Sequence, residues 1–150
     1  MSPGDFSITQ GGRRIQCRTH STTVCAINEP MKSGRWKITF RLHEDTPDSE
    51  TSCFGILTLP CMGQSYSGEN KWFIRSFNGQ LYGVGAEGST HRLRIHPGNN
   101  VVLDIDVDAG TFRYSVDGTD AGIAFRIPPG RTYYAATAFY SSLPNIELLS

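Results

Sequence analysis

The chain has 150 residues, the size of one domain, and its 14 lysines and arginines balance its 14 aspartates and glutamates. A chain of this length buries roughly 70% of its unfolded surface, so its core needs no metal ion or disulfide as a staple. The neutral balance argues against a protein that binds nucleic acid through a broad basic face. No run of about 18 apolar residues and no secretory leader is visible. We therefore expect one intracellular domain, cytoplasmic or nuclear, without a membrane span.

The first half of the chain predicts short strands joined by turns. FSIT, RRIQCRT and TTVCAI are strand candidates, and residues 28–34 form a polar loop in which Met31 looks exposed. In RWKITFRLH apolar and polar residues alternate, which is typical of a strand with one buried face. After an acidic loop at residues 44–52, the apolar run CFGILTL predicts a strand near the middle of a sheet. Gly55 in this run indicates a bulge or a close backbone approach.

The second half continues the pattern. Residues 72–74 and 80–82 bracket a turn at Asn78-Gly79, and the stretch around RLRI is irregular. A turn at residues 128–130 precedes the last strands, in YYAATAFY and NIELL. About ten to twelve strands with no helices between them predict an all-β fold, an antiparallel sandwich of two sheets.

Residues 100–125 predict the central hairpin of the fold. Apolar residues recur at every second position in NVVLDIDVD and again in FRYSV, so each strand buries one face. The predicted register sets Ile105 across from Tyr114 and Asp106 across from Arg113, with a two-residue turn at Ala109-Gly110. By the same pattern Leu103 lies across from Val116 and Val107 across from Phe112. A second turn is predicted at Asp117-Gly118.

The sequence favours neither a calcium site nor a zinc site. Asp104, Asp106 and Asp108 resemble the start of a calcium loop, but its sixth and twelfth positions would be Ala109 and Ser115 in place of glycine and glutamate. We expect a solvated strand face instead. The four cysteines have no zinc-knuckle spacing and are predicted to be reduced.

No catalytic signature accompanies these strands. The sequence has no GxSxG, no HExxH and no phosphate-binding glycine loop, and its four histidines fall near strand ends and loops. Binding by loops on a rigid sandwich is the remaining reading. The sequence also has a small basic cluster, made of His91, Arg92, Arg94 and His96.

The motifs in their order resemble a SPRY domain of the PRYSPRY type. The resemblance runs from about residue 6 to residue 148 of a single domain, 1–150. It rests on SGRWKITF, CFGILTL and YYAATAFYSS, and most specifically on NVVLDIDVDAGTFRYSVDGTDAGIAF. The resemblance implies a bent, concanavalin A-like sandwich without catalysis or cofactor that recognises short segments or surfaces of other proteins.

In family members that bind peptides, three segments form the peptide-binding pocket. They are the loop before the GxW strand, a tyrosine in the middle loop and the end of the last long strand. The matching positions in this sequence are Glu29, Pro30, Met31, Lys32, Tyr82, Phe139, Tyr140 and Ser141. The resemblance therefore predicts a partner site at these residues.

Two alternatives stay open at this point. One is a glycan or nucleic-acid binder, in which Arg92, Arg94 and His96 would meet phosphates. The other is a structural subunit of a larger assembly, in which the same loops form an ordinary interface.

Overall fold

The computed structural model describes residues 6–9, 14–17, 23–27, 29–44, 52–59, 70–76, 78–85, 93–139 and 145–149. Side chains are described from residue 26 onward, apart from those of Glu44, Phe139 and Asn145. These residues form twelve strands and no helix. The strands are β1 Phe6–Thr9, β2 Arg14–Cys17, β3 Thr23–Ala26, β4 Arg35–Glu44, β5 Cys53–Thr58, β6 Lys71–Arg75, β7 Leu81–Tyr82, β8 Asn100–Asp106, β9 Thr111–Val116, β10 Thr119–Arg126, β11 Tyr133–Phe139 and β12 Asn145–Leu148.

The strands build two antiparallel sheets. Seven strands follow the order β1-β2-β12-β4-β8-β9-β10, and five follow the order β3-β11-β5-β6-β7. The first three strands are therefore divided between the sheets, because β3 pairs with β11 while β1 and β2 join β12. The predicted all-β sandwich of ten to twelve strands is confirmed.

The main core lies between the sheets. Phe40 and Leu42 of β4 are buried, and the ring of Phe40 packs at 5.6 Å from that of Phe54 on β5. Alternate residues of β5, β6 and β11 face the other way and form a second buried cluster that includes Phe73. Both faces of β5 and of most of β6 are therefore buried.

The strand β5 is the middle of its sheet, as CFGILTL predicts. All six of its residues are buried, and it lies between β11 and β6. A Cβ atom at Gly55 would lie 1.9 Å from the carbonyl oxygen of Trp72. The predicted close approach is therefore real, and only glycine permits it.

The central hairpin has the predicted faces but another register. Ile105 lies across from Phe112 rather than Tyr114, and Leu103 lies across from Tyr114. The apolar side chains of both strands are buried. A shift of two residues leaves every side chain on its face, so alternation alone does not distinguish the two registers. The predicted register was wrong for this reason.

The turn between β8 and β9 accordingly has four residues, 107–110, instead of the predicted two. The side chain of Asp106 accepts a hydrogen bond from the Ala109 N–H at 2.9 Å, and its carbonyl accepts one from the Gly110 N–H at 2.9 Å. Gly110 has a φ of 74°, and a Cβ there would lie 2.5 Å from the carbonyl oxygen of Ile127. The local bonds of Asp106 thus define the turn.

The predicted pairing of Asp106 with Arg113 is also wrong. Arg113 stands across from Asp104, and its guanidinium bonds the Asp120 carboxylate at 2.7 Å. Asp120 also accepts the Gly122 N–H at 2.8 Å. The bond from the Gly122 N–H is the main reason that the pKa of Asp120 lies below its usual range, and the bond from Arg113 is the second.

The aspartates of β8 and of the turn after it bond other parts of the fold. Asp104 bonds Arg35 of β4 at 3.0 Å, and Asp108 accepts the Gly34 N–H at 3.0 Å. Since Asp106 bonds within its own turn, the three carboxylates do not converge on one point. Among the described residues, no group of three histidine, cysteine or acidic side chains is placed to hold a metal ion.

The second turn, Asp117-Gly118, joins β9 and β10 as predicted. Val116 pairs with Thr119 across it, and both turn residues have positive φ, 47° and 86°, as a type I′ turn requires. The Asp117 carboxylate accepts the Asn100 N–H at 2.8 Å. The turn is thereby tied to the start of β8.

Candidate functional site

The loop Glu29–Lys32 is an exposed segment with a buried anchor. Met31 pairs with Tyr133 by two backbone bonds, of 2.8 and 3.0 Å, and its side chain is only 1% exposed. The prediction of an exposed Met31 was wrong, because this bridge turns its side chain into the core. Glu29, Pro30 and Lys32 are exposed. The loop is therefore attached to β11 through Met31, and the residues on either side of Met31 are exposed.

An apolar cleft of about 90 Å³ opens at the base of this loop. We call it the apolar cleft and define it by the residues that line it: Ile27, Glu29, Met31, Trp36, Lys37, Ile38, Ala135 and Leu148. Four of its apolar side chains remain partly exposed, namely those of Ile27, Trp36, Ile38 and Leu148. The indole N–H of Trp36 donates to the Ser33 carbonyl at 2.8 Å, which fixes the ring under the loop.

Tyr82 lies away from the apolar cleft. It is partly exposed on β7 and stands across from Phe73. Phe73 belongs to the buried cluster on the face of the five-stranded sheet that points away from the other sheet. Paired residues of antiparallel strands share a face. Tyr82 and the cleft are therefore on opposite faces of this sheet.

The last predicted segment begins at the far end of β11. Phe139 is the final residue of the strand and stands across from Thr23 of β3. Tyr140 and Ser141 lie outside the described residues. Since Tyr133 and Phe139 are six residues apart on one strand, roughly 20 Å separates Met31's partner from this end. The register thus does not bring the Glu29–Lys32 loop next to Phe139.

The basic cluster is described only in part. Arg94 and His96 are exposed, and the His96 N–H donates to the Asn99 side chain at 2.6 Å. Arg92 and His91 lie outside the described residues. A phosphate-binding role of this cluster stays a prediction.

The described residues also contain no helix long and apolar enough to cross a bilayer.

Comparison with known proteins identifies the fold. No protein-family model and no curated protein sequence matches the chain. The crystal structure of the SPRY domain of human HERC1 superimposes with a TM-score of 0.83 at 19% identity, over 98% of this chain and 95% of that one. The chain has the SPRY fold.

Two further solved SPRY structures agree. A human SPRY domain matches with a TM-score of 0.74 at 13% identity, over 96% of this chain and 94% of that one. The PSpry domain of TRIM65 matches with a TM-score of 0.72 at 11% identity, over 97% and 86%. The resemblance read from the hairpin motif therefore identified the SPRY architecture correctly.

The sequence-based prediction of the site included the Glu29–Lys32 loop but not the neighbouring strand β4. Trp36, Lys37 and Ile38 line the apolar cleft together, although they were read only as part of a one-sided strand. No local pattern of the sequence indicates this cleft, because Ile27, Trp36, Ala135 and Leu148 reach it from distant parts of the chain.

Proposed function

We propose that this SPRY domain is a non-catalytic protein-interaction module. It recognises a short segment or a surface of a partner protein through loops at one edge of the sandwich. The observation that supports this most is the Glu29–Lys32 loop, whose exposed residues are held in place by the buried Met31 beside an open apolar cleft. An exposed polar rim around an apolar floor is the arrangement that protein interfaces use.

The anchoring of the loop supports binding for an energetic reason. Ordering a flexible loop on association costs about 0.5 to 1.5 kcal/mol for each immobilised side chain. Here the backbone is already fixed by the bonds between Met31 and Tyr133. The backbone that carries Glu29 and Lys32 is therefore already ordered, and binding has to order only their exposed side chains.

Tyr82, Phe139, Tyr140 and Ser141 stay in the proposal as further predicted contacts. A partner that reached from Met31 to Phe139 would have to run along β11 for roughly 20 Å, about six extended residues. A short peptide would then touch one end only. The proposal thus predicts that loop variants and Tyr82 variants have separable effects.

Affinity capture from cells, quantified by mass spectrometry, tests the proposal. The bait is compared with a charge-reversed loop variant, Glu29→Lys with Lys32→Glu, and with Tyr82→Ala. Thr119→Ala, an exposed change on the edge strand β10, is the matched control. We expect a partner whose recovery falls at least about tenfold with the loop variant and stays unchanged with the control. Recovery indifferent to both the loop and Tyr82 variants would contradict the site.

A further inference from the structure

The turn between β6 and β7 contains the only Asn-Gly pair of the sequence, Asn78-Gly79. This dipeptide is chemically labile, because the glycine has no Cβ atom to keep its backbone nitrogen away from the asparagine side chain. The nitrogen can attack the carboxamide carbon and close a five-membered imide ring. An unconstrained Asn-Gly pair is therefore a site of spontaneous deamidation, the loss of the side-chain nitrogen as ammonia.

The backbone of the turn holds the nitrogen that would attack. Gly79 is buried, and its N–H donates to the Arg75 carbonyl at 2.9 Å. The Arg75 N–H in turn donates to the Gln80 carbonyl at 2.9 Å. Because Arg75 is the last residue of β6, both bonds close the turn on the end of this strand. The N–H that has to lose its proton is thus already used in a hydrogen bond.

The side chain that would be attacked is held as well. Asn78 is half-buried, and its Oδ1 accepts the Gln80 N–H at 3.0 Å. Its Nδ2 contacts the Oε1 of Gln80 at 3.5 Å. A bond from an asparagine side chain to the backbone two residues on is a common way to stabilise a turn. The contacts that form the turn therefore also hold both reacting groups.

Release of the Gly79 amide is the step that the turn controls. Hydroxide must remove the amide proton before the nitrogen can attack, and the same removal is the chemical step of hydrogen exchange. A bonded and buried amide reacts in this way only when its surroundings open. The strand after the turn, β7, pairs with β6 through Leu81 and Tyr82 alone. Local opening of this short strand would release Gly79.

We propose that Asn78 is a deamidation site gated by local opening of the β6–β7 turn. In the open turn the Gly79 nitrogen gives its proton to hydroxide and forms a bond to Asn78 Cγ. The Cγ–Nδ2 bond then breaks, and the nitrogen leaves as ammonia with a proton returned by water. A second water molecule opens the imide at either carbonyl, which gives aspartate or isoaspartate.

The two products affect the turn differently. Aspartate at position 78 keeps an oxygen that accepts the Gln80 N–H, so the turn can close again. Isoaspartate carries the main chain through the former side chain, which inserts a methylene group before Gly79 and displaces its N–H from the Arg75 carbonyl. Isoaspartate therefore leaves the turn open and β7 loosened. Neither step involves a partner protein, so deamidation and the proposed function are tested separately.

The rate of conversion at Asn78, measured by mass spectrometry of its proteolytic peptide, tests the gate. The wild type is incubated at pH 8 in native buffer and in concentrated urea, where the turn is unfolded. We expect conversion in native buffer to be slower by at least about thirtyfold. The slowing should agree within a few-fold with the protection of the Gly79 amide against hydrogen exchange, measured by NMR, because both reactions use the same opening.

Two core variants of similar burial separate local from global opening. Leu81→Ala shortens a side chain of β7 that is 7% exposed, and Val116→Ala shortens one of β9, in the other sheet, that is 8% exposed. In native buffer we expect Leu81→Ala to speed conversion about tenfold or more and Val116→Ala to leave it within about twofold of the wild type. In urea all three proteins should react alike.

Equal acceleration by Leu81→Ala and Val116→Ala would overturn the gate, because the reaction would then start from the globally unfolded chain. Conversion as fast in native buffer as in urea would also overturn it, since the bonds of Gly79 would give no protection. If Leu81→Ala does not fold, the wild type decides. A slowing of conversion that differs from the Gly79 protection by more than about tenfold would contradict a shared opening.

Discussion

The two halves of β4 differ although one alternating pattern runs through both. Residues 39–41 lie between β8 and β12, residues 42–44 continue beside β12, and Phe40 and Leu42 are fully buried in the core. Residues 35–38 pair with β8 alone, and their inward side chains stay partly exposed at the apolar cleft. Among the described residues, pairing with β12 reaches Phe40, and one further bond joins Leu149 to Thr39. A single strand thus serves as scaffold at one end and as candidate site at the other.

The largest expected effect concerns the enclosed half. Phe40→Ala removes a ring that is fully buried and packs on Phe54, and we expect a loss of about 3 to 5 kcal/mol in the free energy of unfolding. Ile38→Ala removes a partly exposed side chain and should cost less than half as much. Urea denaturation of both variants measures the difference. Equal losses would mean that the two halves are packed alike.

The loop beside the open half is expected to depend on its anchor. Met31→Ala leaves a cavity under the Glu29–Lys32 loop and should lower the free energy of unfolding by about 2 to 5 kcal/mol. Lys32→Ala, at the exposed neighbouring position, should change it by no more than about 0.5 kcal/mol. The same denaturation experiment measures both. An unchanged free energy of unfolding in Met31→Ala would show that the buried Met31 side chain does not hold the Glu29–Lys32 loop.

A smaller effect is expected at Tyr133, the backbone partner of Met31. Its hydroxyl donates to the Pro128 carbonyl, and burial raises its pKa above the ordinary value of 10.0. The unfolded chain therefore loses this proton first, so the free energy of unfolding should fall as the pH rises above about 10. Tyr133→Phe should cost about 0.5 to 1.5 kcal/mol at pH 8.

Tyr133→Phe should also reduce the alkaline loss, because no hydroxyl is left to titrate. Denaturation at pH 8 and at pH 10.5, with the wild type and the variant side by side, measures both quantities. An alkaline loss of the same size in the variant would contradict the assignment to Tyr133.

The sequence predicted an element correctly where its residue pattern is compatible with only one local structure. The buried strand β5 and the turn at Asp117-Gly118 were correct, because a continuous apolar run and an Asp-Gly pair each favour one local structure. The hairpin register was wrong by two residues, since alternation does not change under that shift. The observed turn contains one side-chain bond and one backbone bond of Asp106, and neither is visible in a period-2 pattern.

The candidate site was harder to predict than the fold. Met31 was expected at the surface because its neighbours are polar, yet its bridge to Tyr133 buries it. That bridge joins residues about one hundred positions apart, beyond the reach of local composition. The family resemblance predicted which segments form a site. The strand register shows that Met31 pairs with the first residue of β11, whereas Phe139 is its last residue.

Hydrogen exchange of the free domain, read amide by amide by NMR, tests most directly whether residues 35–38 of β4 pair with β8 alone, as they do among the described residues. We predict that the Arg35 and Lys37 amides exchange rapidly, while those of Trp36 and Ile38, which face β8, are protected as part of the ladder. An alternating pattern of this kind would confirm that one side of the strand is unpaired. Equal protection of Lys37 and Ile38 would contradict it, because it would mean that the edge is already covered.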